Sequence, residues 1–415
     1  MADDAPEVLV VGAGVVGLGC AFRFAREGRR VLLVDRGEPG MGASFGNAGH
    51  IATEQIFPLA SPSTVLGAFR YLFERDGPLS IRAAYFPAIL PWLLRFTWAS
   101  RPSAYVRGVA ALSSLQRTAR ADFAELLGDA GAADLVHLAG HLLVVERAQS
   151  VATAKKDLAE LAGFGVEAEW LEPGGVRELA PEITANVAGA LRFTGTGHVD
   201  DPYLVSKALA DAFLAAGGRV VQAEVARIES GGGGFTAHAL SGAQFHARKL
   251  VLSCGAWSKA LAAQLGYTVP LDTERGYQIT LPGVTPRFNI PIASFERKFI
   301  MTPMAMGLML TSTVEFGGLD LPANERRFDS IARNVRALAP GIATEGMTTW
   351  MGFRPSLPDH LPVLGRAPDG RDLVFAFGHQ HLGLTLAGVT ARIVAAAIAG
   401  RDTEVDLAPF APDRF

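Results

Sequence analysis

The feature that most constrains the fold is a glycine-rich turn near the N-terminus, placed between stretches of different periodicity. Glycines occupy three positions of VVGAGVVGLG: Gly12, Gly14 and Gly17. The apolar run EVLVV before the turn predicts a short buried strand, and residues 14–27 predict a helix. A second apolar strand over residues 31–34 is followed by Asp35. This order predicts a βαβ unit, the building block of a parallel sheet.

The same turn has the residue types of a dinucleotide-binding site. Gly12 permits a tight turn, Gly14 lets the backbone approach a pyrophosphate, and Gly17 lets helix and strand pack closely. The helix N-terminus then presents free N–H groups to phosphate. Asp35 is placed to accept hydrogen bonds from ribose hydroxyls and to repel a 2′-phosphate. The unit therefore favours NAD or FAD over NADP, and it leaves the choice between those two open.

The loop after Asp35 has a composition that suits a flat ring. It reads RGEPGMGASFGNAGHIA over residues 36–52, and small residues dominate it. Small side chains let the backbone lie against a ring, while Ser44 and Asn47 offer hydrogen bonds to phosphate or ring edges. An ordinary flexible loop is the alternative interpretation of this stretch alone.

The chain resembles the D-amino acid oxidase superfamily of FAD enzymes, and its D-amino acid dehydrogenase branch most closely. The resemblance rests on the glycine motif, Asp35, and the stretch from Ser44 to Gly49, in which Gly46 replaces the alanine common in that branch. Further matching stretches follow along the chain: GHVDDPYLV (197–205), VLSCGAWS (251–258), ERGYQIT (274–280), GFRPSLPDHLPVLG (352–365) and GHQHLGLTLA (378–387).

The resemblance implies FAD as cofactor. Some members tether flavin through Cys or His, and in the Cys-linked branch the Cys comes shortly after the GxRP-like Arg. The stretch RPSLPDH has no Cys, so non-covalent FAD is expected, with a covalent link through His50 as the alternative. A helix after residue 383 is expected to direct its positive end to the flavin pyrimidine. The implied cofactor-binding residues are Gly12, Gly14, Val15, Val16, Gly17, Asp35, Arg36, Ser44, Asn47, Ala48, Gly49, Val225, Gly255, Trp257, Gly378, His379, Gly383, Leu384 and Thr385.

Five residues are candidates for contact with the reacting groups. Arg354 is implied to anchor the substrate carboxylate, since a guanidinium pairs with carboxylate in a planar fork. Tyr277 is expected to add a hydroxyl to that contact or to cover the ring, with a structural sheet aromatic as the alternative. His50, His379 and Gln380 are candidates for hydrogen bonds to flavin or for tuning substrate protonation, with structural roles as the alternative.

The alternation of elements predicts an α/β protein with two interleaved domains. A Rossmann-like FAD-binding domain is expected from residues 1–60, 195–265 and 345–415. An antiparallel-sheet α+β substrate domain is expected from residues 61–194 and 266–344. Within the latter, residues 298–316 predict a hairpin that turns near residues 305–307.

Composition excludes several classes of function. The formal net charge of −3 gives no basic footprint for nucleic acid. The two cysteines lie far apart, so we expect neither a disulfide framework nor a metal site. The acidic start MADDAPEV lacks the features of a secretory signal, and no apolar run is long enough to cross a bilayer. A cytoplasmic protein is therefore expected.

Residues 54–104 are predicted to be irregular, with one apolar helix over residues 85–99, YFPAILPWLLRFTWA. The favoured interpretation of this segment is a buried helix. The alternative is a peripheral patch on the inner face of the membrane, where the enzyme would meet a quinone.

Taken with the resemblance, these features predict oxidation of D-amino acids by hydride transfer from the α-carbon to flavin N5. The electrons would pass to a quinone or another acceptor. The stretch 298–316 resembles that of members acting on D-proline or cis-4-hydroxy-D-proline. Two alternatives stay open: a glycine or sarcosine oxidase-type enzyme that uses oxygen, and a flavin-binding relay subunit of a larger complex.

Overall fold

The computed structural model describes residues 5–73, 77 and 79–415. Residues 1–4 of the acidic start, and 74–76 and 78 of the segment predicted to be irregular, lie outside the described part. The helices found in it are α1 (Val15–Arg26), α2 (Pro62–Phe73), α3 (Phe86–Ala99), α4 (Pro102–Asp129), α5 (Val151–Ala162), α6 (Pro173–Leu179), α7 (Pro202–Ala215), α8 (Ser258–Gln264), α9 (Glu325–Leu338) and α10 (Ala387–Ala399).

The strands in the described part of the chain belong to four sheets. They are β1 (Val8–Val11), β2 (Val31–Asp35), β3 (His50–Ile51), β4 (Leu79–Ile81), β5 (Val136–His137), β6 (His141–Val145), β7 (Ala168–Leu171), β8 (Gly189–Phe193), β9 (Gly197–Val199), β10 (Arg219–Gln222), β11 (Val225–Gly231), β12 (Gly234–Ala239), β13 (Gln244–Ala247), β14 (Lys249–Leu252), β15 (Asp272–Pro282), β16 (Ile292–Ser294), β17 (Phe299–Met304), β18 (Gly307–Phe316), β19 (Thr348–Ser356), β20 (Val363–Arg366) and β21 (Leu373–Phe377).

A six-stranded sheet, in the order β10-β2-β1-β14-β21-β20, forms the frame of the first unit. Its neighbours are parallel except β20, which runs antiparallel to β21. Helices α1, α4, α7 and α10 share an apolar core with one side of it. The β11–β13 sheet and α8 share a core with the other side. Strand β1, helix α1 and strand β2 form the predicted βαβ unit, which confirms that prediction.

A nine-stranded sheet forms the second unit, in the order β19-β15-β18-β17-β16-β6-β8-β7 with β4 paired to β18. Its pairs are antiparallel except β16 with β6 and β18 with β4. Helix α9 packs its apolar residues into the core of this sheet. Strands β17 and β18 form the hairpin predicted over residues 298–316, with Met304 opposite Gly307. The prediction of two kinds of sheet in one α/β chain is confirmed.

Two elements lie across the predicted domain boundaries. Strand β19 belongs to the nine-stranded sheet although it follows residue 345, because it pairs along its length with β15. Helix α4 packs against α10 of the first unit, where a Cβ on Gly388 would overlap the backbone of Asp122. Arg392 of α10 also donates to Asp122 over 2.9 Å. The remaining boundaries stay a prediction.

The segment 54–104 is more regular than predicted, since α2, α3 and the start of α4 occupy much of it. Helix α3 is also less buried than predicted. Only Ile89 and Trp92 are buried, whereas Leu94 is 65% and Trp98 66% exposed. Ile89 and Trp92 pack against Phe316 of β18, and the Trp92 indole N–H donates to the Ser356 carbonyl over 3.3 Å, while the outer apolar side chains stay exposed. Among the described residues, no helix has both the length and the apolar character needed to cross a membrane.

Candidate active site

A cavity of about 410 Å³ opens at the carboxyl ends of the parallel strands. Crevices at this edge of such sheets are the usual ligand sites. Most of the residues predicted to bind cofactor line it. They are Gly12, Gly14, Val15, Val16, Asp35, Arg36, Ser44, Asn47, Val225, Gly255, Trp257, Gly378, His379, Gly383 and Leu384, joined by Gln380 from the predicted substrate group.

The turn between β1 and α1 brings bare backbone to the cavity. Gly12 has φ of 108°, and a Cβ on it would overlap the carbonyl of Ser253. Gly14 is the residue before α1, and its neighbour Val15 donates its N–H to the Ser44 hydroxyl over 3.0 Å. Gly17 does not line the cavity. It faces the Gly12 carbonyl, which a Cβ at position 17 would overlap. Gly12 and Gly17 therefore serve close packing around the turn, and Gly14 brings bare backbone to the cavity beside Ser44.

The Asp35 carboxylate is fixed at the end of β2 by two backbone groups. One oxygen accepts the N–H of Ala13 over 2.6 Å, and the other accepts that of Gly37 over 2.9 Å. Each carboxylate oxygen keeps further acceptor capacity. Because the group lines the cavity, it can accept sugar hydroxyls and opposes a phosphate on the same sugar.

Arg36 and Trp257 form a flat wall at one end of the cavity. The guanidinium carbon lies 3.6 Å from the centre of the indole ring, close enough for a cation–π contact. Val225 lines the same cavity, as does Gly255. The planar guanidinium of Arg36 and the indole of Trp257 suit an adenine ring. Gly378, which also lines the cavity, has φ of 83° and turns the chain toward α10. That helix begins at Ala387 and so starts later than predicted.

These features fit a dinucleotide as large as FAD: a glycine turn for the pyrophosphate, a carboxylate for the ribose, a flat wall for adenine, and a further turn for a second ring. The comparison with known sequences agrees. The profile of the family described as FAD dependent oxidoreductase matches residues 7–397. The chain belongs to this family. FAD is therefore the cofactor, as predicted from the resemblance.

Relatives and solved structures resemble this FAD dependent oxidoreductase over nearly its whole length. A protein named D-amino-acid oxidase from Bradyrhizobium diazoefficiens is 34% identical, with 98% of each chain covered. A D-amino acid dehydrogenase from Cereibacter sphaeroides is 30% identical, covering 98% of this chain and 95% of the relative. The fold matches glycine oxidase from Geobacillus kaustophilus with a TM-score of 0.75, at 24% identity and 99% coverage of both chains.

Arg354 lies next to the cavity, between two residues that line it, Phe353 and Pro355. It is half-buried on β19, and its guanidinium covers the backbone of Gly276: a Cβ there would lie 2.6 Å from the guanidinium carbon. The register of β15 and β19 sets Glu274 opposite Arg354. Burial lowers the pKa of Arg354, and the Glu274 carboxylate opposes that shift. The pair therefore keeps the guanidinium charged.

A polar path joins Arg354 to the cavity. The Nε2 atom of His360 lies 3.8 Å from Glu274, and burial lowers the pKa of His360 to about 3. The side chain of Gln380 interacts with the His360 ring. Gln380 lines the cavity with φ of 54°, and its N–H donates to the carbonyl of Pro355 over 3.1 Å. A bulky residue held at positive φ indicates a tightly determined loop.

Tyr277 corrects the expectation of a substrate contact and fits the alternative, a structural sheet aromatic. Its hydroxyl donates to Glu315 over 2.7 Å and accepts the N–H of Asn324 over 3.0 Å. The ring is fully buried and meets Phe328 of α9 edge-on. Successive residues of a strand face opposite sides, so Tyr277 points away from the side on which Arg354 covers Gly276. Tyr277 is a core residue rather than a substrate contact.

Other predicted residues lie beside the cavity without lining it. The Thr385 hydroxyl accepts the N–H of Ala52 over 3.0 Å, and Gly49 donates its N–H to the Asn47 side chain over 2.8 Å. Ala48 is also outside the lining. His379 lines it, but its Nε2 atom is paired with the Thr390 hydroxyl over 3.0 Å. His50, which was also a candidate for contact with the reacting groups, is buried in a separate cluster.

Two residues near the site escaped the sequence analysis. Glu274 could be found only from the register of β15 with β19, which no local pattern gives. Trp350 fills the space above Gly352, and a Cβ on Gly46 would overlap its indole. The glycine at position 46, a departure from the resembling branch, therefore accommodates this tryptophan.

We predict that Gly276→Ala disturbs Arg354 without unfolding the protein. The new methyl group would meet the end of a flexible side chain, so the guanidinium should move and the strand should remain. A misplacement of about 1 Å lowers kcat/KM by roughly 100-fold. Steady-state kinetics with an amino acid substrate measures this, while the unfolding temperature should stay near that of wild type.

Gly174→Ala is the matched control, since nothing lies within 4 Å of a Cβ at that position. Kinetics unchanged in both variants would contradict the positioning of Arg354 by Gly276. A large fall in unfolding temperature in Gly276→Ala alone would assign the glycine to strand packing instead.

Proposed function

We propose that this protein is a dehydrogenase of D-amino acids. The observation that carries the proposal is Arg354, held against Glu274 beside the dinucleotide cavity. A charged guanidinium in a partly dry place is suited to a carboxylate, the group shared by all amino acid substrates. The relatives named D-amino-acid oxidase and D-amino acid dehydrogenase support the D configuration.

The residues of the chain bind and orient the substrate. Arg354 would fix the carboxylate in one plane, and Glu274 with His360 would hold Arg354 in place. The α-carbon would then be directed toward the cavity, where bound FAD would supply the hydride-accepting chemistry. The lone pair of a neutral substrate amine would drive loss of the hydride from the α-carbon. No protein base is therefore needed in the hydride transfer. Orientation is thus the main contribution of the chain.

We propose further that FAD is bound without a covalent link. Both cysteines are poorly suited to tether it, since Cys20 is buried within α1 and burial raises the pKa of its thiol to about 12. The thiol of Cys254 lies 3.1 Å from the carbonyl of Val11, and burial raises its pKa too. Release of all flavin into the supernatant after acid precipitation is the expected result.

For the substrate, we propose cyclic D-amino acids such as D-proline or cis-4-hydroxy-D-proline. The support is the resemblance of residues 298–316 to the same stretch of members that act on these substrates. In this chain the stretch forms the β17–β18 hairpin, and its Met304 side chain packs against Gly49.

We predict that Arg354→Lys lowers kcat/KM for D-proline roughly 10- to 150-fold, because charged hydrogen bonds worth about 1.5–3 kcal/mol are lost with the planar fork. The measurement is anaerobic bleaching of the flavin absorption band with D-proline, D-alanine, sarcosine and the L-isomers. Arg366→Lys, at an exposed site on β20, should behave as wild type. A flavin band bleached by none of these substrates would contradict the proposed function and favour a relay subunit.

The electron acceptor is proposed to be a quinone. The relative named an oxidase favours oxygen as the second candidate. Oxygen uptake with peroxide release during turnover would identify oxygen as the acceptor. Turnover that requires a quinone analogue and yields no peroxide is the expected result.

We also propose that α3 rests on a membrane surface that holds the quinone. Phe86, Leu90, Leu94 and Trp98 of this helix are exposed large apolar side chains. Leu66 of α2 is 81% exposed as well. An exposed helix with tryptophan and leucine on one face is typical of interfacial membrane binding.

Leu94→Glu should weaken sedimentation with phospholipid vesicles by roughly 10-fold or more, since burying one leucine contributes about 1.5–3 kcal/mol. Turnover with a soluble dye should not change. Leu240→Glu, at a site 69% exposed on the β12–β13 hairpin, is the control and should keep wild-type binding. Equal vesicle binding by all three proteins would contradict the membrane proposal.

A further inference from the structure

Three buried side chains of metal-ligand type converge outside the cofactor cavity. His50 comes from β3, Glu54 from the turn after it, and His141 from β6 of the nine-stranded sheet. One nitrogen or oxygen of each lies within 4.8 Å of those of the other two. The Nε2 atom of His50 is 3.8 Å from the Glu54 carboxylate. The rings of His50 and His141 lie 4.5 Å apart between centres.

Each of these side chains has a buried polar atom without a hydrogen-bond partner. The atoms are Nε2 of His50, Oε2 of Glu54 and Nδ1 of His141. The residues are only 8%, 8% and 3% exposed, respectively. Leaving buried polar atoms unpaired is unfavourable by a few kcal/mol for each group. Three such atoms in one place indicate that the cluster holds a further group.

We propose that His50, Glu54 and His141 bind a divalent transition-metal ion, with zinc the best match. Two imidazoles and one carboxylate are ligands that zinc uses, with a fourth position left for water. Magnesium and calcium prefer sites made of oxygen atoms only, so this mixed set disfavours them. The present separations need only a modest inward movement of the side chains to reach bonding distance.

The proposed ion would not compete with the cofactor. None of the three ligands lines the dinucleotide cavity, although Asn47, just upstream of His50, does. His141 belongs to a strand of the other sheet. The ion would therefore fasten the end of the flavin-side loop to the nine-stranded sheet. Because binding favours the folded state, it should raise the unfolding temperature with increasing metal concentration.

No local pattern reveals this site. His50 and Glu54 are four residues apart in a segment that is not helical, and His141 is far along the chain. The pairing of β6 with β8 and β16 is what sets His141 in place. The expectation of no metal site was based on cysteine spacing. That spacing carries no information about a site made of His and Glu.

The test uses the FAD-loaded protein after dialysis against a chelator. Zinc chloride is titrated by calorimetry, and unfolding temperature is followed with and without zinc. Wild type should bind one ion per chain, and zinc should raise its unfolding temperature. Glu54→Gln and His141→Gln should each weaken binding at least roughly 100-fold, the upper end of the loss seen for outer partners of metal ligands.

His137→Gln is the matched control, because His137 pairs with Asp200 at the exposed end of β5 and is outside the cluster. It should keep wild-type zinc affinity. The flavin absorption spectrum of each variant reports whether it is folded. Absence of one-to-one binding in wild type, or unchanged affinity in both cluster variants, would overturn the proposal.

A second measurement depends on no variant. X-ray absorption of the zinc-loaded wild-type protein should show nitrogen and oxygen ligands with the scattering pattern of two imidazoles. A sulfur ligand, or no imidazole, would also overturn the proposal and would leave the cluster as a set of hydrogen-bonded groups around water. These readouts are independent of the amino acid oxidised.

Discussion

The close approach of the β1–α1 turn to β14 is the constraint on which the cofactor site depends. The Ser253 hydroxyl donates to the carbonyls of Val11 and Gly12 over 3.0 and 2.9 Å. That contact leaves no room for a side chain at Gly12, and the helix can approach only because Gly17 has none. Glycine is therefore required at two points before any ligand is considered. The cavity is a consequence of this packing.

Strand β19 links the cofactor cavity to Arg354, the proposed substrate anchor. Its alternation directs Phe353 and Pro355 to the dinucleotide cavity, whereas Arg354 lies over Gly276 of the neighbouring strand. Neighbouring residues of one strand thus supply part of the cavity lining and the Arg354–Gly276 contact. The spacing between Arg354 and the lining residues is set by the strand itself.

The sequence predicted the parts of the fold whose signals are local. The βαβ unit, the hairpin over residues 298–316 and most cavity residues follow from periodicity, glycine positions and resemblance. The errors concern pairings across the chain. The two interpretations of Tyr277 stayed open because the face of a strand depends on its neighbours, and Glu274 was missed because it meets Arg354 only through strand register. The helix expected over residues 85–99 is present, but its burial was overestimated because exposure depends on what packs against a helix.

The order of strands in the six-stranded sheet has a consequence for how the protein is made. Strand β21 lies beside β14 in the middle of the sheet, and Gly378 to Leu384 form part of the cavity wall. Another part of the lining comes from residues between Gly12 and Asn47. During synthesis the N-terminal part of the lining is made well before the C-terminal part leaves the ribosome. FAD is therefore captured late, after contacts between distant residues have formed. The glycine turn, translated early, remains without its ligand for most of that time.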